Sequence, residues 1–430
     1  MTVNAHHVRY LIIGGGLAGS AAAQSIRLRD PHGSIVIVGQ EINRPYNRPP
    51  VCREYLHRKT GRAAMMTVPL GWYSDNQVQL ITGQRVTRID TTRHLVAIDT
   101  GAEIQFDKAL IATGVSPRPL HVPGGDLPNV YDLRTIEDAE QILNGIDKAR
   151  TEGRPHNPEN RSGPRGRVAV VGGGLLGVEL CETFARLGLR VDLFVAHPHP
   201  WHRFAGPHVG GAITRHLEAH DIRVHTQARI AQIQGDGRAQ RILLDDQRSF
   251  DTDFVVTAIG TVLNRDILRG TPINAEKQLL VDQHCRTNVQ DIFAAGDCAA
   301  VFDPLFAKHR VLEHWHSARL LGSIAGANMA GDPTAVYDIV NQYTTEVFGI
   351  AASVWGESKH ATHRHTRLLP SGGMLEFGVS DANKVSQTLA LAAPREYESV
   401  LHDLVQSRTD VTGKIEQLID PETPLNDLLK

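Results

Sequence analysis

The strongest constraint on this chain is a local pattern that occurs twice. Tyr10-Leu-Ile-Ile-Gly-Gly-Gly-Leu-Ala-Gly-Ser20 runs from a short apolar stretch into Gly14, Gly16 and Gly19, and Val168-Ala-Val-Val-Gly-Gly-Gly-Leu-Leu-Gly-Val-Glu179 repeats it with Gly172, Gly174 and Gly177. A short apolar run of this kind reads as a buried parallel strand, and the small and apolar residues from Leu17 to Arg29 read as the helix that follows. In G-x-G-x-x-G the first glycine permits the tight turn, the second lets a pyrophosphate approach the backbone, and the third lets helix and strand pack closely. The helix start adds N–H donors and a partial positive charge. After the first copy, a strand over Ser34 to Val38 is expected at βαβ distance, with Gln40 and Glu41 where ribose hydroxyls want a partner. A single turn of this kind has structural uses. Two in one chain predict two dinucleotides, and hydride transfer between a nicotinamide and a flavin is the chemistry that pairs them.

Length and composition bound the rest. With 430 residues, two to four domains with full cores are expected, and a formal net charge of −2 with mixed signs points to neither a nucleic-acid nor a membrane partner. No apolar run reaches spanning length, and Met1 to Arg9 lacks the shape of a signal peptide, so the expected location is cytoplasmic. Cys52, Cys181, Cys285 and Cys298 are scattered, as free thiols in a reducing compartment would be. Prolines separate His197, His199 and His202 with no acidic or cysteine ligand beside them, and no metal is expected there or at His314/His316 or His360/His363/His365.

The segment Asn43-Arg-Pro-Tyr-Asn-Arg-Pro-Pro-Val-Cys-Arg53 makes the reading specific. It resembles the P-Y-x-R-P-P-L-S-K stretch of the FAD-dependent ferredoxin, rubredoxin and putidaredoxin reductases. These form a branch of the pyridine nucleotide-disulfide oxidoreductase superfamily that includes the apoptosis-inducing-factor flavoproteins. The resemblance implies an α/β chain with two Rossmann-like dinucleotide-binding domains, one for FAD and one for NAD(P), and a smaller α+β C-terminal interface domain. The boundaries it implies are 1–134 with 260–331 for FAD, 135–259 for NAD(P) and 332–430 for the interface domain. It implies that Arg48 contacts FAD with Pro49 beside it. The family lysine falls on Arg53, which keeps the charge but not the shape, and the family serine on Cys52. Glu179 would pair with Arg53 near the nicotinamide. No cysteine stands where disulfide reductases or single-cysteine oxidases of the superfamily carry theirs, so thiolate chemistry beside the flavin is not expected.

Further motifs carry the same resemblance. Lys108-Ala-Leu-Ile-Ala-Thr-Gly114 reads as a strand ending in the second FAD signature, and Phe254 to Gly260 resembles the return into the FAD domain. Asp291-Ile-Phe-Ala-Ala-Gly-Asp297 resembles the element whose Asp meets the ribityl chain of FAD, followed by a helix start. Arg310 to Arg319 reads as a helix start and resembles the E-x-W or E-H-H stretch at the flavin. The resemblance thus places Gly14, Gly16, Leu17, Ala18, Gly19, Gln40, Glu41, Arg48, Pro49, Arg53, Val86, Ala112, Thr113, Gly114, Gly260, Gly296, Asp297, Glu313, His314 and Trp315 at FAD. It places Gly172, Gly174, Leu175, Leu176, Gly177 and Glu179 at NAD(P)H. Arg53, Glu179 and Trp315 are the expected catalytic set. Val195 stands where an acid would read the ribose of NADH, with His197, His199 and Arg203 following, so NADH is favoured only slightly over NADPH. The implied activity moves a hydride from NAD(P)H to FAD and electrons on to a ferredoxin- or rubredoxin-type protein, in a monomer or homodimer. The alternatives are a reductase of quinones, oxygen or other small acceptors, and a slow NADH-sensing flavoprotein.

Further expectations complete the chain. A hairpin is expected over Leu95–Ile98 and Glu103–Phe106, a capped helix from Thr135, and a solvated loop over 150–167 whose arginines could meet an acidic redox partner. Strands are expected over Thr344–Trp355, Met374–Val379 and Leu389–Ala392, with a helix over Arg395–Gln406.

Overall fold

The computed structural model describes residues 7–152 and 166–429. The chain divides into two compact units: residues 1–50, 60–116 and 261–339 form one, and 51–59, 117–260 and 340–430 the other.

The first unit is built on a seven-stranded sheet. Strand His7–Ile13 lies between Ile35–Gly39 and Glu103–Ile111, parallel to both. Val78–Thr82 extends the sheet beyond Ile35–Gly39. All five residues of Ile35–Gly39 are buried, as a strand covered on both faces requires. Glu103–Ile111 serves two neighbours. Its first residues pair antiparallel with Leu95–Ile98, and Ala109 to Ile111 pair parallel with Ile292–Ala294. The sequence predicts two strands where this single one runs.

Helix Leu17–Arg29 packs against helix Trp315–Met329 at backbone distance. A Cβ at Gly322 would lie 2.2 Å from the Ala18 carbonyl oxygen. Two expectations are corrected here. Asp297 is followed by strands Ala299–Asp303 and Lys308–Val311, which pair antiparallel, and not by a helix. The helix expected from Arg310 begins at Trp315, since residues up to Val311 take their hydrogen bonds from the hairpin.

The second unit holds a five-stranded parallel sheet in the order Arg223–His225, Arg190–Phe194, Arg167–Val171, Phe254–Thr257, Val130–Asp132. Helix Ile136–Glu152 starts from a reciprocal cap: the Asp138 N–H donates to Thr135 Oγ1 at 3.1 Å, and the Thr135 N–H to Asp138 Oδ2 at 2.8 Å. It runs on through Glu152, so the first residues of the expected loop are helical. Residues 153–165 of that loop lie outside the described residues.

A separate five-stranded antiparallel sheet spans Gln342–Val347, Ile350–Gly356, Val385–Leu391, Met374–Val379 and His363–Leu368. The single strand expected over 344–355 is a hairpin, turning at Phe348 (φ 46°) and Gly349 (φ 81°). Strand His363–Leu368 gives no signal in the sequence because its histidines and arginines carry no apolar alternation. Helix Tyr397–Gln406 lies against this sheet, and the Thr388 hydroxyl donates to the Leu401 carbonyl at 3.0 Å. Among the described residues no helix is long and apolar enough to cross a membrane.

Candidate functional site

Each unit presents one glycine turn, and each turn is tested by what a side chain would meet there. Gly14 has φ 123°, and a Cβ would lie 2.2 Å from the Ala112 carbonyl oxygen. Gly172 has φ 120°, and its Cβ would lie 2.2 Å from that of Ala258. Only glycine fits either position. Both following helices, Leu17–Arg29 and Leu175–Arg186, start at glycines, Gly16 and Gly174, that give no side-chain cap. A Cβ at either would meet nothing within 4 Å. The first-turn N–H groups of Leu17 and Ala18, and of Leu175 and Leu176, thus face open space suited to a phosphate. Gly19 and Gly177 sit against the carbonyls of Gly14 and Gly172, closing helix onto strand.

In the first unit, strand Ile35–Gly39 ends at exposed Gln40, and Glu41 follows. Glu41 accepts from Arg48 Nη2 and from the Tyr46 hydroxyl, both at 2.5 Å, and Arg48 Nη1 donates to Tyr46 Oη at 3.0 Å. Burial works against the charge on Arg48, but Glu41, Tyr46 and Asp297 outweigh it and hold the guanidinium above its ordinary pKa. A permanently cationic group thus stands against Glu41, within electrostatic reach of Asp297. Pro49 is exposed beside it, and Val86 is buried in strand Val86–Asp90. Ala112, Thr113 and Gly114 follow the end of strand Glu103–Ile111.

Gly296 (φ 80°) precedes Asp297, and a Cβ there would lie 3.0 Å from that of Ala18. Glu313 accepts from the Thr261 hydroxyl at 2.7 Å. His314 caps helix Trp315–Met329 by accepting the His316 N–H. Burial first, then His316, lowers the His314 pKa to about 4, although Asp297 opposes the shift, so the imidazole is neutral. Trp315 is 43% exposed, tilted against His314 at 5.5 Å and edge-on to His316 at 5.7 Å.

In the second unit Glu179 gathers contacts from three segments. Arg53 Nη2 pairs with Glu179 Oε1 at 3.0 Å, and the Thr345 hydroxyl donates to the same oxygen at 2.6 Å. The Cys52 thiol donates to Oε2 at 3.5 Å. Arg53 Nη2 also donates to the Glu346 carbonyl at 2.6 Å, and Thr183 Oγ1 to the Cys52 carbonyl at 2.8 Å. Burial opposes the charge on Arg53, but Glu179, with Cys52 and Glu182, holds it above its ordinary value. Burial and then Glu179 push the Cys52 thiol far up, so it stays protonated. Thr345 was missed from the sequence because it lies 166 residues from Glu179 with no local signal.

Gly260 (φ 101°) follows strand Phe254–Thr257, and Arg203 would lie 3.8 Å from a Cβ there. Val195, at the end of strand Arg190–Phe194, is 1% exposed against Gly173. Among the described residues no group of three or more His, Cys, Asp or Glu could hold a metal ion.

Residues 8–322 match the pyridine nucleotide-disulphide oxidoreductase family. The chain belongs to that family. Like other members of the family, it is an oxidoreductase that works with FAD and a pyridine nucleotide, and the two glycine turns fit these groups. The chain is 26% identical over 428 residues to the ferredoxin–NAD(+) reductase subunit of the benzene 1,2-dioxygenase system of Pseudomonas putida, covering 99% of this chain and 98% of that one. It is 28% identical to the corresponding component of the biphenyl dioxygenase system of Paraburkholderia xenovorans, covering 97% and 98%. The fold matches that of a covalent putidaredoxin reductase–putidaredoxin complex with a TM-score of 0.86, at 22% identity and covering 99% of both chains.

Proposed function

We propose that this oxidoreductase takes a hydride from NAD(P)H onto FAD and passes electrons to a ferredoxin- or rubredoxin-type iron–sulfur protein in the cytoplasm. The observation that carries this reading is the pair of glycine turns of like geometry, one in each unit, each ending in an uncapped helix start. The names of relatives matched over nearly the whole chain support the acceptor class. When bound, FAD supplies the ability to accept two electrons as hydride and release them singly.

The roles assigned to residues follow from what each presents. Gly14, Gly16, Leu17, Ala18 and Gly19 would receive the FAD pyrophosphate, with Gln40 and Glu41 toward its ribose. Arg48, fixed by Glu41 and Tyr46, would supply a charge that survives any pH of interest. Val86, Ala112, Thr113, Gly114 and Gly260 would border the cofactor. Gly296 and Asp297 would meet its ribityl chain, and Glu313, His314 and Trp315 its ring. Gly172, Gly174, Leu175, Leu176 and Gly177 would receive the NAD(P)H phosphates. Glu179, oriented by Arg53 and Thr345, would hold a fixed carboxylate at the nicotinamide. No nucleophile or general acid is called for, and Cys52 stays a neutral thiol. The domains we assign to these roles are 1–134 with 260–331, 135–259, and 332–430, with strand Val130–Asp132 joining the sheet of the second unit.

The test is reduction of a purified [2Fe–2S] ferredoxin by the flavin-loaded protein with NADH. Ferredoxin reduction much faster than consumption of quinone or oxygen supports the reading. Equal or faster turnover with the small acceptors alone contradicts it.

A further inference from the structure

The end of strand Arg190–Phe194 departs from the usual coenzyme site. There an Asp or Glu accepts the ribose hydroxyls of NAD, whereas a cation nearby accommodates the 2′-phosphate of NADP. Here Val195 occupies the position and is buried against the glycine turn. The loop that follows is held to that turn by the Trp201 N–H, which donates to the Gly173 carbonyl at 2.7 Å. Trp201 is 1% exposed and carries a φ of 62°, a conformation that a bulky residue adopts only where its surroundings force it. The loop is thus fixed beside the phosphate-binding turn.

That loop exposes imidazoles. His197 and His202 stack with centroids 4.9 Å apart at 17°. Beneath them His199 is buried, with Nδ1 2.8 Å from the Pro200 carbonyl. A ring nitrogen facing a carbonyl carries the proton, so in the neutral tautomer His199 Nε2 is an acceptor. His202 Nδ1, 3.4 Å away, then donates to it. This chain leaves His202 Nε2 as the atom that takes a proton. His199 fits only because residue 210 is glycine: a Cβ there would lie 1.9 Å from His199 Nδ1.

We propose that His202, with His197 stacked on it, reads the 2′-phosphate of NADPH, and that pH therefore sets the coenzyme preference of this chain. The inference rests on the second glycine turn holding the nicotinamide coenzyme. Without an anion His202 resists charging. Burial first, then His199, His197 and Arg364, lower the His202 pKa from its ordinary 6.5. Beyond these, Glu376 reaches the cluster through His199 and Arg364, and Arg203 is the next residue along the chain, with its guanidinium near Gly260. Glu376 is already committed to Arg364 and to the Gly206 N–H, at 2.7 and 2.9 Å. A phosphate dianion set against His202 reverses the balance, so NADPH binding takes up a proton. Affinity is then strongest near the second phosphate pKa of about 6 and falls as pH rises, by up to about tenfold per unit for each proton taken up. NADH lacks the phosphate and gains nothing from the imidazolium.

The test is calorimetry of NADP+ and NAD+ binding to the flavin-loaded protein at about pH 6 and about pH 8, in buffers of different ionisation enthalpy. NADP+ affinity should fall roughly tenfold or more across that range with net proton uptake, while NAD+ changes by less than about twofold. His202→Asn should flatten the NADP+ profile and abolish the uptake. His202→Arg should bind NADP+ at both pH values without uptake, because its charge is permanent. A flat NADP+ profile in the unaltered protein, or one that survives in His202→Asn, overturns the proposal while NAD+ binding stands. Failure to bind either coenzyme overturns it together with the assignment of the second turn.

Discussion

The two glycine turns are nearly superimposable as local chemistry, yet their surroundings diverge at one position. Both first glycines have φ near 120°, and both would drive a Cβ to 2.2 Å from a carbonyl oxygen. Both helices begin without a side-chain cap. After the next strand, however, the first turn meets Glu41, bound by Arg48 and Tyr46, and the second meets buried Val195 and a histidine loop. Phosphate recognition is backbone chemistry and leaves little choice of residue. Ribose recognition is side-chain chemistry and is free to change.

The largest effects should come from breaking the shared part. Gly14→Ala and Gly172→Ala each force a Cβ onto a backbone carbonyl at positive φ, at a cost on the order of 3 kcal/mol. They should differ in what they lose. Gly14→Ala should purify without flavin, seen as missing visible absorbance, while Gly172→Ala should keep flavin and lose NAD+ binding by calorimetry.

Glu41→Gln probes the part that differs. It removes the charge holding Arg48 and Tyr46, worth about 2 kcal/mol for hydrogen bonds to a charged group. Reconstitution of the apoprotein should then need at least about tenfold more FAD, with NAD+ affinity unchanged.

An effect no larger concerns His314, whose depressed pKa ties the stability of the first unit to acid. The unfolded chain takes the proton near 6.5 and the folded one only near 4. The stabilisation is complete above 6.5 and is lost as pH falls toward 4, by about 2 kcal/mol after allowance for partial exposure. Thermal melts should show this loss in the unaltered protein and much less of it in His314→Gln. The least change is expected at Cys52, whose thiol is pushed far up beside Glu179. Cys52→Ala should keep ferredoxin reduction within about twofold, and the native thiol should resist alkylation.

Much of this was legible in the sequence because it is local. The strand, glycine turn and helix read from Tyr10 to Arg29 form as expected, with the helix over Leu17–Arg29, because apolar run, glycines and helix formers lie in consecutive order. The Thr135/Asp138 cap was readable for the same reason. Sequence reading failed where distant partners decide. Glu103–Ile111 is one strand because His7–Ile13 pairs with it continuously from Gln105 to Ile111, while two different neighbours share its other edge. Residues 308–311 are strand because Ala299–Asp303 lies beside them. At Glu179 the pairing with Arg53 was suggested by the family resemblance, but Thr345 and Cys52 come to it only through the fold.

Anaerobic stopped-flow reduction of the flavin-loaded protein with NADH, followed by mixing with an oxidised [2Fe–2S] ferredoxin, is the most direct test of the whole account. The account predicts rapid bleaching of the flavin absorbance and its return as the ferredoxin is reduced. A protein that binds no flavin, or whose flavin is not reduced by either nicotinamide coenzyme, would contradict it.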